Sequence, residues 1–524
     1  MITQLPSGWA SVPLRSLVHG LQYGVTASAD ARISEPKLLR ITDIQNGEVT
    51  WERVPGCSIS AEQVIKYKLT EGDLVFARSG SIDKAWRVTG PPPGAVFASY
   101  LIRARPVHDH VGRWLEQFIR SPHYLAQVEA AAAGTGMQNV NATKLGELKV
   151  PVPPTGEQAR ILAKVQVLQA QSRQAREALD AVPPLLEKLR QSVLAAAFRG
   201  DLTRDWRAKH PDVEPASELL KRIRAERRKK WEEAELAKLK AKGKPPGDDR
   251  WKARYDVPRG ADESSLPPLP AGWCWANLGE VAPLLPGFAF PSSGFTKAGV
   301  RLLKGVNVRD GHISEEDMDY WPAHEKNLYS RFLLNAGDIV LAMDRPVYSS
   351  GSRATKVARL SERWAGSLLL QRVGRFQNLP MLHSDYLFLY VQSYRFRDHL
   401  IRQQNGSQDG KDLPHVSASV VDAAVLPVPP TEEQRVAAVR AHAAISAIDG
   451  TRVFAQSVSD RLDDFEPALL RRAFSGKLVP QNPNDEPADV MLARLRESSE
   501  EQSAPVARRI DRRGNGGARQ ASRR

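Results

Sequence analysis

Two loops of the chain gather side chains of the kind that hold phosphate and read base edges. The first, "FARSGSIDKAWRV" at 76 to 88, offers Arg78, Ser79, Gly80, Lys84 and Arg87. The second, "AMDRPVYSSGSRATKV" at 342 to 357, offers Arg345, Ser349, Ser350, Ser352, Arg353 and Lys356. Lysine and arginine neutralise phosphates, serine and backbone amides add short hydrogen bonds, and arginine can also grip guanine through two donors. Two later segments carry amides and lysines among glycines, "GTGMQNVNATKL" with Gln138, Asn139 and Lys144, and "NGSQDGKDLPHVS" with Gln408 and Lys411. Glycine there allows a tight turn or a close approach to another backbone. Spacing alone leaves open which of these groups meets phosphate, which meets a base, and which is an ordinary surface residue.

Catalytic constellations do not stand beside these loops. The sequence has no Gly-rich loop followed by Lys-Ser or Lys-Thr, no spaced His/Cys metal set and no nucleophile elbow. It also lacks an Asn-Pro-Pro-Tyr or Asp-Pro-Pro-Tyr stretch of the amino-methyltransferase kind. Asp73 and Asp338 sit in Gly-Asp turns before apolar runs, where local backbone bonding accounts for them. Binding is therefore expected rather than catalysis, and a nuclease with widely separated acids stays open as an alternative.

The bulk properties agree with a polyanion partner. Among 524 residues, 74 Lys and Arg outweigh 60 Asp and Glu, a net charge of +14. That length calls for several domains. Cys57 and Cys274 are the only cysteines, which fits a reducing compartment and excludes a disulfide framework. The opening "MITQLPSGWASVPLRSL" has no basic stretch followed by an apolar run, and no segment has the length of a membrane span. A cytoplasmic protein with no membrane partner is expected.

The elements that position the loops are written twice. "LPSGWASVPLRSLV" at 5 to 18 is echoed by "LPAGWCWANLGEVA" at 269 to 282, and "TEGDLVFARSG" at 70 to 80 by "NAGDIVLAMDR" at 335 to 345. "PVPPTGEQ" at 151 to 158 returns as "PVPPTEEQ" at 427 to 434, and "LRQSVLAAAFRGDL" at 189 to 202 as "FEPALLRRAFSGKL" at 465 to 478. The offset grows from 264 to 276 along the module, so the frame is shared and loops of the second copy are longer. "DLVFAR" and "DIVLAM" read as strands entered through a Gly-Asp turn, and "VGRWLEQFIRSPHYLAQVEAAA" and "SDYLFLYVQSYRFRDHLIRQ" as amphipathic helices. Mixed α/β modules follow.

After each "PVPP", Thr155 with Gln158 and Thr431 with Gln434 have the spacing of a capping box that opens a helix. Val182, Leu186, Leu189 and Val193 form a stripe spaced four, three and four, and Val458, Leu462, Phe465 and Leu469 repeat it. Such a stripe meets a partner helix, and the other copy is the simplest partner, in an antiparallel pair. Pro183 and Pro184 predict a kink or break in the first helix. Phe198 and Phe474 are apolar anchors at the helix ends, each followed two residues later by a C-terminal glycine, Gly200 or Gly476. Residues 221 to 245 form a basic surface helix leading into the link "GKPPGDDR", and "EPASELLKRIR" at 214 to 224 is echoed by "EPADVMLARLR" at 486 to 496.

The paired "PVPPT" phrases, the "AFRGDL" and "AFSGKL" helix ends and the "GDLVFARSGS" strand and loop together resemble the specificity subunit of a type I restriction-modification enzyme. The resemblance covers most of residues 5 to 480. It implies two mixed α/β (α+β) target recognition domains in pseudo-twofold arrangement, separated by long antiparallel coiled-coil-like spacer helices. The division would be 1–150 and 267–426 for the recognition domains, 151–200 and 427–480 for the spacer helices, 201–266 for a basic connector, and 481–524 for a short helix and basic tail. The implied function is non-catalytic: recognition of a bipartite double-stranded DNA target, with two methyltransferase subunits and two motor-nuclease subunits as partners. No cofactor would bind this subunit; S-adenosylmethionine, ATP and Mg2+ would act in the partners, in adenine methylation and ATP-dependent cleavage. The alternatives left open are a nonspecific architectural DNA binder, a scaffold, and a nuclease or modification enzyme with its own active site.

Overall fold

The apolar runs after the two Gly-Asp turns become central strands whose side chains are buried on both faces. In a computed structural model, which describes residues 5–45, 47–92, 94–132, 139–243, 246–347, 355–377, 382–404 and 415–503, the chain divides into two compact units. One comprises residues 1–180 and 455–524, the other residues 181–454. The long helices are α1 (Thr155–Asp180), α2 (Val182–Arg199), α3 (Ala216–Ala241), α4 (Thr431–Phe474) and α5 (Ala488–Ser503).

In the first unit an antiparallel sheet runs in the order β2 (Val18–Tyr23), β5 (Leu101–Pro106), β3 (Leu74–Ala77), β4 (Ala85–Arg87). Beside it, β1 (Ala10–Pro13) pairs antiparallel with β6 (Lys149–Val152). Leu74 and Phe76 of β3 enter one core with Trp114, Phe118 and Tyr124, while Val75 and Ala77 enter a second with Trp86 and Phe97. Alternation along the strand sends successive residues to opposite faces, so a fully apolar run is what a doubly covered strand requires. Gly72, at φ +88°, makes the turn into it. The buried Asp73 carboxylate accepts from Thr70 N–H at 3.0 Å and from Arg105 Nε at 2.9 Å.

The second unit repeats this topology with its own side chains. Its sheet order is β8 (Leu284–Pro286), β11 (Val373–Phe376), β9 (Ile339–Ala342), β10 (Val357–Arg359), and β7 (Cys274–Asn277) pairs with β12 (Val425–Val428). Ile339 and Leu341 join one core and Val340 and Ala342 another.

Each unit is completed by helices from both ends of the repeat. In the first unit, Phe474 at the end of α4 lies against Trp114 and Phe118, with ring centroids 4.6 and 5.7 Å away. Arg176 of α1 pairs with Asp463 of α4 at 2.6 Å, and the Gln169 amide donates to Glu466 at 2.9 Å. In the second unit, Phe198 at the end of α2 lies 5.1 and 5.6 Å from Tyr386 and Tyr390. Arg440 of α4 donates to Asp205 at 3.0 Å, and Leu194 shares a core with Ala438, Ala441 and Ile445. The helix that ends one repeat therefore packs on the module of the other.

The helix ends are sealed by module starts. Gly476, at φ +66°, donates to Ala473 C=O and Lys477 to Arg472 C=O, the two bonds of a Schellman motif. Gly200, at φ +78°, closes α2 in the same left-handed region. A Cβ on Gly476 would stand 2.3 Å from Pro6 Cγ, and one on Gly200 2.7 Å from Pro270 Cγ. The two "LP-x-GW" phrases thus cover the two helix-end glycines. The echo after each helix docks likewise: Ala488 N–H donates to Gly8 C=O at 2.9 Å, and Ala216 N–H to Gly272 C=O at 2.8 Å.

Two local expectations need correction or refinement. The capping box does not form: Pro154 and Pro430 stand at the N-cap, and their carbonyls accept from Gln158 and Gln434 N–H at 2.8 and 3.0 Å. Gln434 is buried, and its side chain instead accepts from His383 N–H and donates to Pro429 C=O. Burial of the amide against the module outweighs its use as a cap. The break in the first long helix falls at Ala181, with Pro183 and Pro184 in the first turn of α2, where a missing N–H costs no hydrogen bond. The basic stretch becomes α3, whose first turns are buried through Ala216, Leu219, Leu220 and Ile223.

Candidate functional site

The strand ends of each sheet build a crest from three segments. In the first unit, Arg78 N–H donates to Tyr100 C=O at 3.0 Å, and Val140 N–H donates to Arg78 C=O at 2.8 Å. Ser79 and Asn139 face each other as a β-bridge. Gly24 lets β2 reach this place: a Cβ there would stand 2.2 Å from Ala98 C=O. Tyr23, at the end of β2, accepts from Ala142 N–H at 2.9 Å and carries the Arg78 guanidinium 4.8 Å from its ring centroid. Arg78, Ser79, Gly80 and Asn139 are thereby brought together, with Tyr100 62% exposed beside them. The Arg78 Nε is buried without a hydrogen-bond partner.

Other candidates of the first module are placed elsewhere. Lys144 sits in the short helix Ala142–Gly146, and its ammonium donates to Ala131 C=O at 2.6 Å. Lys84 turns to Ile41 C=O at 3.4 Å and lines a groove of about 900 Å³ with Arg173 and Arg176 of α1 and Asp463 of α4. Arg87 is held in ion pairs with Asp109 at 2.8 Å and Glu116 at 3.5 Å. Gln138 lies outside the described residues.

In the second unit the same backbone pattern carries different side chains. Met343 N–H donates to Arg372 C=O at 2.8 Å, Val416 N–H donates to Met343 C=O at 2.9 Å, and Asp344 faces His415 as a β-bridge. Met343 thus stands where Arg78 stands in the first unit, Asp344 where Ser79 stands, Arg372 where Tyr100 stands and His415 where Asn139 stands. The Asp344 carboxylate receives Arg372 at 2.8 Å and lies 3.1 Å from His415 Nδ1. Arg345 is exposed with φ at +44°, and Lys356 returns to the crest through its N–H on Pro346 C=O at 2.7 Å. The Lys356 ammonium is held below the usual lysine range, first by burial and then by Arg309 and Arg345, with Asp344 opposing. Ser349, Ser350, Ser352, Arg353, Gln408 and Lys411 lie outside the described residues.

The helix candidates divide by burial. Leu186, Phe198, Leu469 and Phe474 are buried, and Val182, Val193, Val458, Leu462 and Phe465 are half-buried. Leu189 is 51% exposed and Leu185 59%, so the inward face of α2 runs through Leu186, Leu194, Ala197 and Phe198 instead. The helices α1 and α4 each also plant a buried glutamate under a module. Glu157 accepts from Trp9 Nε1 at 2.9 Å and Gln481 at 2.6 Å. Glu433 accepts from Trp273 Nε1 at 2.9 Å and Thr203 at 2.7 Å, and pairs with Arg207.

Sequence reasoning missed Tyr23, Tyr100, Asp344, Arg372 and His415 at the crests. The signal was present: "VFASYLIRA" and "LLLQRVGRF" follow the central strands of the two modules, and aligning them sets Tyr100 against Arg372. Among the described residues no group of three or more His, Cys, Asp or Glu could hold a metal ion, and no helix is long and apolar enough to cross a membrane.

No family model matches the chain. Over 375 residues it is 28% identical to the EcoAI type I restriction enzyme specificity subunit of Escherichia coli, covering 63% of this chain and 59% of that one. It is 29% identical over 223 residues to the EcoKI specificity subunit of Escherichia coli strain K12, covering 40% and 48%. Against the MjaVIII specificity subunit of Methanocaldococcus jannaschii it is 28% identical over 223 residues, covering 42% and 50%. The chain spans about half to three-fifths of the length of these relatives. In fold it matches a chain solved in work on complex assembly and conformational transition of the type I R-M system, with a TM-score of 0.57 at 18% identity, covering 91% of this chain and 100% of that one. The chain is homologous to the specificity subunits of type I restriction-modification enzymes.

Proposed function

We propose that this chain is the DNA-reading subunit of a type I restriction-modification complex, each crest reading one half of a split target. The observation that carries the reading is the crest itself: one backbone pattern built twice and furnished with unlike side chains. Two readers of two different half-sites need that combination of a fixed frame and changed contacts. Residues 1–150 and 267–426 are the readers. The long helices, as copies related by a pseudo-twofold axis and paired antiparallel, set the number of unread base pairs between half-sites. Two methyltransferase subunits holding S-adenosylmethionine and two motor-nuclease subunits using ATP and Mg2+ carry the chemistry, with adenine as the methylated base.

The test is to express the chain with its methyltransferase subunit and map methylated adenines across a DNA library. A single split motif with a fixed gap supports the reading, and insertion of one helical turn into α4 is then expected to change the gap and leave both half-sites intact. Methylation at unrelated sequences, or none from a verified complex, favours an architectural binder or scaffold. Modification or cleavage by the chain without partners favours an enzyme.

A further inference from the structure

The crest of the second unit holds an arginine in an arrangement that its counterpart in the first unit lacks. Arg372 is exposed, lies in the left-handed region at φ +69°, and donates through one guanidinium nitrogen to Asp344 at 2.8 Å. Arg345, next to Asp344, is also left-handed, so two of the three non-glycine residues with positive φ among the described residues flank one carboxylate. Such conformations are strained and persist where surrounding contacts enforce them. The enforcing contacts here are the Met343 N–H bond to Arg372 C=O, the ion pair and the His415 side chain on the same carboxylate oxygen.

One feature favours a base contact over a phosphate contact. Asp344 engages a single guanidinium nitrogen at 2.8 Å, which orients the planar fork and leaves the other two nitrogens to donate to a ligand. A guanidinium held in this way matches the O6 and N7 acceptors of guanine in the major groove, where a bidentate contact discriminates between bases. The arrangement does not match adenine, which presents an amino donor beside N7, or cytosine, which presents an amino donor. In the first unit the same backbone place holds Tyr100, which offers a ring and one hydroxyl.

Resting on the reading proposed above, we propose that Arg372, oriented by Asp344, is a specificity-determining residue that reads a guanine in the half-site of the second module. The side chain reads through its own donors, and Asp344 is a positioning residue. The experiment compares the full chain with its methyltransferase subunit as wild type, Arg372→Ala, Arg372→Lys and Asp344→Asn, on a library randomised in both half-sites. Modification is scored base by base, and the melting profile serves as a control for folding.

Wild type is expected to require guanine at one position of one half-site. Arg372→Ala is expected to relax that position alone by about 5- to 150-fold, leaving the other half-site unchanged. Arg372→Lys keeps the charge without the fork, so it is expected to retain modification and still lose most of the preference for guanine. Asp344→Asn is expected to weaken the same position less. If wild type shows a split motif and every position survives Arg372→Ala, the inference is overturned and the reading stands. A uniform loss with all preferences intact assigns Arg372 to phosphate and also overturns it. A wild type with no split motif overturns the reading and the inference with it.

Discussion

At the scale of single residues, the buried glutamates under the two modules separate structural charge from functional charge. Glu433 is paired with Arg207, whose side chain keeps 21% of its surface exposed, whereas Glu157 is met by the neutral Trp9 and Gln481. Glu433→Gln is therefore expected to destabilise the second unit by somewhat less than the roughly 3–5 kcal/mol of breaking a fully buried pair. Glu157→Gln, which keeps an acceptor for Trp9, is expected to cost the first unit no more than about 1 kcal/mol. Denaturant melts of the two variants check the order. Burial pushes the Glu157 carboxyl above its ordinary range, with Trp9 and Gln481 opposing. A carboxyl raised in the folded state favours folding below its unfolded value and loses that contribution as pH rises through the folded value. Glu157→Gln should accordingly flatten the stability of the first unit across that window, read as denaturant midpoint against pH. For the crest, Arg78→Ala is expected to weaken DNA binding of the assembled complex. Loss confined to one half-site position marks a base contact, and an equal loss on all sequences marks a phosphate contact.

At the scale of elements, the helix ends are where the sequence was most legible. Phe198, Phe474, Gly200 and Gly476 were readable because a large apolar residue and a left-handed glycine at a helix end have one physical use each. The central strands were readable because "DLVF" and "DIVL" are apolar on both alternating faces. The capping boxes were misread because a Thr-x-x-Gln spacing says nothing of a module waiting to bury the glutamine. Of the stripe Val182, Leu186, Leu189 and Val193, three members are buried or half-buried and Leu189 alone is 51% exposed, because helical spacing does not tell a covered flank from an open one. The crest was half legible: Arg78 and Asn139 were named, whereas Lys84 and Arg87 were drawn off by Ile41 and Asp109, partners distant in sequence. Phe474→Ala is expected to destabilise the first unit by roughly 3–5 kcal/mol and Phe198→Ala the second by a similar amount, each read as a shift in one of two melting steps. Leu189→Asp is expected to leave melting within about 0.5 kcal/mol. If Leu189 lies on a subunit-docking face, the same change lowers assembly with the methyltransferase subunit in a pull-down, and unchanged assembly removes it from that face.

At the scale of the whole molecule, the units do not coincide with the sequence repeats. The second unit is one contiguous stretch, 181–454, whereas the first is assembled from 1–180 and 455–524. A chain ending at residue 454 is therefore expected to lose the first unit, although every residue removed follows the second module. It would take away Phe474, Leu469 and Leu470 from the core around Trp114, together with Ala488 and Met491 of α5. Limited proteolysis with mass spectrometry checks this: fragments within 181–454 should persist while 1–180 is digested.

The contact of Pro6 and Trp9 with Gly476, and of Pro270 and Trp273 with Gly200, bears on which segments of the chain can be exchanged together. The glycine and the glutamate that each opening phrase covers, Gly476 with Glu157 and Gly200 with Glu433, stand far from it in sequence. A module grafted without its own leading Pro and Trp would expose a helix end and strand a buried carboxylate. The "LP-x-GW" phrase is therefore a short adaptor that has to travel with the module it opens.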